Sequence, residues 1–163
     1  MKRMLSTILI TVVLGYTAVC MLLFLMQRRM LYYPSSTALE EQLAYAPGAG
    51  LEPWRDAAGT RIGWKRDRPG AAAAQRWLVF HGNAGLAVQR AYWADALERV
   101  SPGRTLSVYI LEYPGYGRRE GSPAENVSTA AALAAINALP ADGKRTHLLG
   151  ESHHERIRIS GRW

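Results

Sequence analysis

At 163 residues the chain carries 20 Lys and Arg against 13 Asp and Glu, a net charge of +7, with one cysteine and four histidines. That length holds at most one ordinary domain, and the lone Cys20 leaves neither an internal disulfide nor a thiolate zinc pair. With 48% hydrophobic and 20% charged residues, the chain is too apolar for a disordered polyelectrolyte. The positive surplus sits at the ends, in Lys2, Arg3, Arg28 and Arg29 and again in Arg156, Arg158 and Arg162, so residues 30–152 are nearly neutral. No basic stripe with interleaved aromatics occurs there, and no nucleic-acid partner is expected.

Residues 4–26 run without a charge between two basic pairs. As a helix they reach about 34 Å, enough for a hydrocarbon core of about 30 Å. A cleaved signal would have a shorter apolar region ending at a small-x-small site, so residues 1–29 read as a single transmembrane anchor with basic flanks and the bilayer as its partner. The terminal amine, Lys2 and Arg3 weight the amino terminus to the inside and the domain to the outside. Tyr32 and Tyr33 follow at interfacial depth, ahead of a strand or entry loop that Pro34 ends.

Ala46–Pro53 and Arg68–Gln75 are Pro/Gly-rich connections, with an alternating strand candidate between them at Thr60–Lys65. Trp77–Phe80 is a compact apolar strand running into His81-Gly82-Asn83-Ala84-Gly85, and Leu86–Val100 has helical spacing. Leu106–Leu111 is a second strand, followed by the loop EYPGYGRREG. Ser122-Pro123-Ala124-Glu125 predicts a capping-box helix start, with the alanine-rich helix stopping at Leu139-Pro140. Arg145–Leu149 is a third strand, ending in Gly150-Glu151-Ser152. The alternation predicts an α/β fold with a mostly parallel sheet.

HGNAG after one strand, YPGYGRREGSP after the next and LLGES after a third resemble the α/β-hydrolase superfamily over residues 30–152. The likeness is to its single-span, membrane-anchored serine hydrolases related to serine aminopeptidases and esterases. The resemblance implies the front part of an α/β-hydrolase sheet behind the transmembrane helix. It also implies Ser152 as nucleophile on a sharp strand-to-helix elbow, with the backbone N–H groups of Asn83 and His153 as oxyanion donors. The implied substrate is a small-molecule or peptide-like acyl compound, an ester, thioester or amide, and no cofactor or metal is implied.

The chain departs from that family after Ser152. The elbow G-x-S-x-G here reads Gly150-Glu151-Ser152-His153-His154, and the acid and histidine that follow the serine in this fold have no counterpart in HHERIRISGRW. Residues 153–163 therefore read as an atypical tail of the kind a shifted reading frame gives. The expectation is a serine-hydrolase scaffold that is truncated and inactive as written; the alternative is a non-catalytic, membrane-anchored binding module or the product of a disrupted gene. His153 and His154 adjoin the serine and point away from it across the turn, and His81 reads as a hydrogen-bonded turn residue. Arg118 and Arg119 read as a solvated loop pair, and Tyr113 and Tyr116 as pocket or turn residues.

Overall fold

A computed structural model describes residues 2–67, 75–102 and 106–151, in two compact units divided after Tyr33. The first unit is the helix α1, Lys2–Leu31, 30 residues long with no buried side chain. It is long and apolar enough to cross a membrane, and at 1.5 Å per residue it reaches about 45 Å. The hydroxyls of Thr7, Thr11 and Thr17 donate to the carbonyls of Arg3, Thr7 and Val13 at 2.8–3.0 Å, so these three polar groups are satisfied within the helix, as a lipid environment favours.

The second unit contains α2 (Leu39–Gly48), β1 (Glu52–Arg55), β2 (Arg61–Arg66), β3 (Gln75–Phe80), α3 (Tyr92–Val100), β4 (Leu106–Leu111), α4 (Glu125–Asn137) and β5 (Arg145–Gly150). A short 3₁₀ turn, Ala87–Arg90, precedes α3. The five strands form one sheet in the order β1-β2-β4-β3-β5. β3 runs parallel to both β4 and β5, whereas β1–β2 and β2–β4 are antiparallel. The sheet is therefore mixed rather than mostly parallel, because the amino-terminal strands join by a tight turn, 56–60, instead of a helical crossover.

Every residue of β4 is buried, which fixes its place inside the sheet and explains its unbroken apolar run. Leu106, Val108 and Ile110 join Trp64, Trp77, Val79 and Leu149 in a core closed by Ala94 and Leu97 of α3. On the opposite face Tyr109 and Leu111 join Trp54, Ile62 and Leu78 under Ala135 of α4. The link from β3 to β4 thus crosses one face through α3, and the link from β4 to β5 crosses the other through α4. The chain turns back past β3 at this point, so the carboxyl ends of β3 and β5 flank a switch in strand order, where open α/β sheets leave a crevice.

Two predicted helix starts are corrected. The helix expected from Leu86 divides into the 3₁₀ turn and α3, and the Ala87 N–H at the start of that turn, which has no partner within it, is met by the Glu112 carboxylate at 3.2–3.3 Å. Ser122 does not cap α4; Ala124, extended at φ −160°, precedes it without a side-chain cap. Pro123 instead packs so close to the turn at Gly115 that a Cβ there would lie 2.6 Å from its Cδ, and Pro123 holds the residue before it away from helical geometry. α2 and β1 are not predicted from the sequence, whose turn-rich stretch 46–53 overlaps only the end of α2 and the start of β1. Gln42, buried in α2, donates to the carbonyls of Thr37 and Gly117 at 2.9 and 3.1 Å, and these tertiary bonds hold a helix whose last turn contains Pro47.

Candidate active site

Phe80 of β3 stands opposite Gly150 of β5, and the next residue, Glu151, donates its N–H to the Phe80 carbonyl at 2.9 Å. The loop after β3 therefore runs directly beside the end of β5. A Cβ on Gly82 would lie 3.4 Å from the Glu151 carbonyl oxygen. Of the sequence-predicted site residues, Asn83 lies on this loop, with its side chain and Ala84 exposed at the tip; Ser152 and His153 lie outside the described residues.

The loop is held from three sides. Tyr116 Oη donates to Asn83 Oδ1 at 2.7 Å, and the same oxygen accepts the Ala84 N–H at 3.0 Å. Ala84 adopts φ +60°, a left-handed conformation that costs a non-glycine residue roughly 1–2 kcal/mol and persists because these bonds fix its neighbours. Beneath the tip, Glu112 has a wholly buried side chain. Its carboxylate accepts from Ala87 N–H and lies 3.2 Å from Nε2 of His81, off the line of a good hydrogen bond but within ion-pair range. Gly117 comes so close that a Cβ would run into Glu112 Oε2, at a φ of +54° that itself favours glycine.

His81 is buried, with Nδ1 2.8 Å from the Gly82 carbonyl and its ring edge-on to Tyr113 and Tyr116, centroids 4.8 and 5.5 Å away. Nδ1 is taken by that carbonyl and Nε2 is buried beside Glu112 without a formed hydrogen bond, so His81 is a buried turn residue and no general base for the crevice. Burial, then the neighbouring Tyr116, pushes the Tyr113 hydroxyl up to about 12, which keeps it a proton donor at neutral pH. Arg119 is not the solvated partner of Arg118 that the sequence suggests: half-buried, it donates to the carbonyls of Glu112 and Ile62. Burial lowers its pKa, opposed by the Glu112 charge. His147 stacks on Trp77 at 4.7 Å, and burial followed by the Arg145 charge lowers its pKa.

On the α3 side of the crevice Glu151 accepts from Arg90 Nε at 2.6 Å and from the Tyr92 hydroxyl at 3.1 Å. Burial works to raise its pKa, but these partners and the Gly82 N–H together lower it. Glu112, Glu151 and Arg90 carry the loop's electrostatics, yet no motif gives them a role, Glu151 being only the variable position of the elbow; the one local signal is that Glu112 and Glu151 each directly follow a buried or semi-buried strand. Among the described residues no three His, Cys, Asp or Glu side chains gather as a metal centre would require.

The acid sensitivity of the fold follows. Against a burial penalty, the Arg76 guanidinium and the Lys144 backbone and side chain hold Asp142 at about 2, and Glu151 and Asp67 are also depressed, Asp67 by bonds from Ser107 and Tyr109 that outweigh burial. Carboxyls more acidic in the folded state contribute stability that is complete above their unfolded values, about 4, and is lost as pH falls through the folded ones. The thermal midpoint is expected to drop steeply between about pH 4 and 2, and Asp142→Asn to flatten that slope, as differential scanning calorimetry across pH reads directly.

The chain is similar to two proteins of Mycobacterium tuberculosis. It is 33% identical over 125 residues to the uncharacterized protein Rv2307c of strain ATCC 25618 / H37Rv, a match covering 76% of this chain and 43% of that protein. It is 34% identical over 110 residues to the uncharacterized protein MT2364 of strain CDC 1551 / Oshkosh, covering 67% and 38%. The chain thus spans about two fifths of the length of the curated relatives it matches. No protein-family model and no solved structure matches it.

Proposed function

We propose that this chain carries the acyl-binding side of an α/β-hydrolase-type serine hydrolase, tethered by α1, with Ser152 at the nucleophile position and inactive as written for want of the triad acid and histidine. The backbone N–H groups of Asn83 and of His153 serve as oxyanion donors, and the substrate is an ester, thioester or peptide-like acyl compound. The observation that carries the reading is the Glu151 N–H to Phe80 carbonyl bond. It sets the HGNAG loop beside the residue that directly precedes Ser152, at the switch in strand order. In this fold one oxyanion donor comes from the loop after the third strand and the other from the residue after the nucleophile, and HGNAG follows the third strand here. In the family's chemistry the serine oxygen attacks the acyl carbon, its proton passes to a histidine base and on to the leaving alcohol, thiol or amine as the acyl–heteroatom bond breaks, and the negative charge that develops on the carbonyl oxygen is met by fixed N–H donors; this chain keeps the donors' loop and lacks the base.

A second reading, a non-catalytic binding module with the same acyl crevice, is favoured by one specific observation: His81, beside the crevice, is committed to Glu112 and the Gly82 carbonyl. Turnover of a p-nitrophenyl ester by the full chain in detergent micelles decides between them. Hydrolysis that Ser152→Ala abolishes overturns the inactive reading; equal rates in the two proteins support it, and ester still bound at equal rates favours the binding module.

A further inference from the structure

A groove of about 350 Å³ lies between α2 and the 3₁₀ turn, within the range of small-molecule sites, roughly 300–1,000 Å³. Leu86 and Val88, both buried, give it apolar surface. Glu41 and Tyr45 line it from α2 and are exposed; four residues apart, they stand as neighbours on one helix face. Among the described residues no Lys or Arg lines the groove. The guanidinium nearest in sequence, Arg90, is bonded to Glu151 at 2.6 Å, so the fixed charge at the groove is negative.

Gln42 completes the wall. Its Nε2 gives both hydrogens to the carbonyls of Thr37 and Gly117, which fixes the orientation of the amide and leaves Oε1 as its open atom. The residue is 1% exposed, and Oε1 has no hydrogen-bond partner among the described residues. A buried acceptor left unmatched is destabilising, and a donor entering the groove removes that penalty. An anion is opposed by both Glu41 and Oε1. A metal ion finds one carboxylate and one amide oxygen, too few for a hard cation's oxygen shell. A positively charged group that donates hydrogen bonds and carries a short alkyl arm matches every wall: Glu41 meets the charge, the Tyr45 ring attracts a cation, Oε1 accepts an N–H, and Leu86 and Val88 take the methylenes.

We propose that this groove binds a primary alkylammonium group, of the kind carried by ethanolamine and by the headgroup of its phospholipid, with Gln42 Oε1 accepting one N–H and Glu41 as counter-charge. A quaternary ammonium brings the charge without a donor and leaves Oε1 unmatched. The site uses none of Asn83, Ser152 or His153, and it stands whether or not Ser152 is reactive.

Hydrogen exchange of the full chain in neutral detergent micelles, read at amides 42–46 and 86–90, tests it. Ethanolammonium at twice its dissociation constant is expected to slow exchange there about threefold, and choline at the same concentration to leave it unchanged. Glu41→Gln removes an exposed charge and is expected to keep the exchange of the free protein while raising the ethanolammonium needed about fivefold. Micelles doped with phosphatidylethanolamine, compared with phosphatidylcholine, separate the two sources. Protection by the doped micelles and not by the dissolved amine assigns the site to a lipid headgroup, and the reverse assigns it to a soluble amine. Protection no greater for the primary than for the quaternary form in either source, or protection that Glu41→Gln leaves unchanged, overturns the proposal.

Discussion

Gly63→Ala is expected to destabilise the domain by about 3 kcal/mol or more, the upper end for overpacking a core. Gly63 sits in β2 between Trp54 of β1 and Leu111 of β4. A Cβ there would drive into the carbonyl oxygen of Ile110 and come within 3.2 Å of the Glu112 nitrogen. The obstacle is backbone, which has no rotamer to yield, so relief requires β2 to move off β4. That movement exposes Trp64, fully buried beside it, and breaks the bond from Glu112 N–H to the Ile62 carbonyl. Urea titration of the full chain in micelles, followed by tryptophan fluorescence, should show the midpoint fall sharply; an unchanged midpoint would mean that β2 and β4 are further apart than described.

Glu112→Ala is expected to cost a similar amount, about 3 kcal/mol, since removing one member of a buried charge network strands the others. The Ala87 N–H would lose its acceptor, and the half-buried guanidinium groups of Arg61 and Arg119 would lose the charge that opposes their desolvation. Glu112→Gln keeps the shape and an acceptor oxygen, so it should lose less. The two variants separate packing from charge, and hydrogen exchange at residues 82–87 reads the consequence for the crevice. Exchange there is expected to quicken by at least tenfold in Glu112→Ala while amides of β1 and β2 change less. Uniform quickening across the domain would mean that Glu112 supports the whole fold and not this loop.

The sequence makes legible those elements whose signals are local. LSVYIL, apolar but for Ser107, becomes the fully buried β4, and the alternation of TRIGWK becomes β2 displaced by one residue. The charge-free stretch 4–26 becomes a helix that extends a few residues beyond it on both sides. Elements held by distant partners are not legible. α2 exists because Gln42 reaches the carbonyl of Gly117, and β1 because its residues pair with β2; neither partner is visible from APGAGLEP. The half of the sheet that is antiparallel follows from the turn at 56–60, a feature that strand–helix alternation further along the chain obscures. In the crevice, HGNAG and the tyrosines of the next loop stand out as residues. The carboxylate that joins them, Glu112, reads only as the first residue of a loop, because its partners lie a strand and a helix away. The Ser122 motif fails for the converse reason: a clean local cap loses to the packing of Pro123 against Gly115.

The central claim, that the ends of β3 and β5 form one acyl site around Ser152, is tested most directly by a fluorophosphonate probe. The full chain would be labelled in micelles, digested and mapped by mass spectrometry, with Ser152→Ala as the control. The account, in which Ser152 stands in an acyl site without its triad acid and histidine, predicts no adduct on Ser152 above the heat-denatured background. An adduct on Ser152 that denaturation and Ser152→Ala both abolish would contradict it.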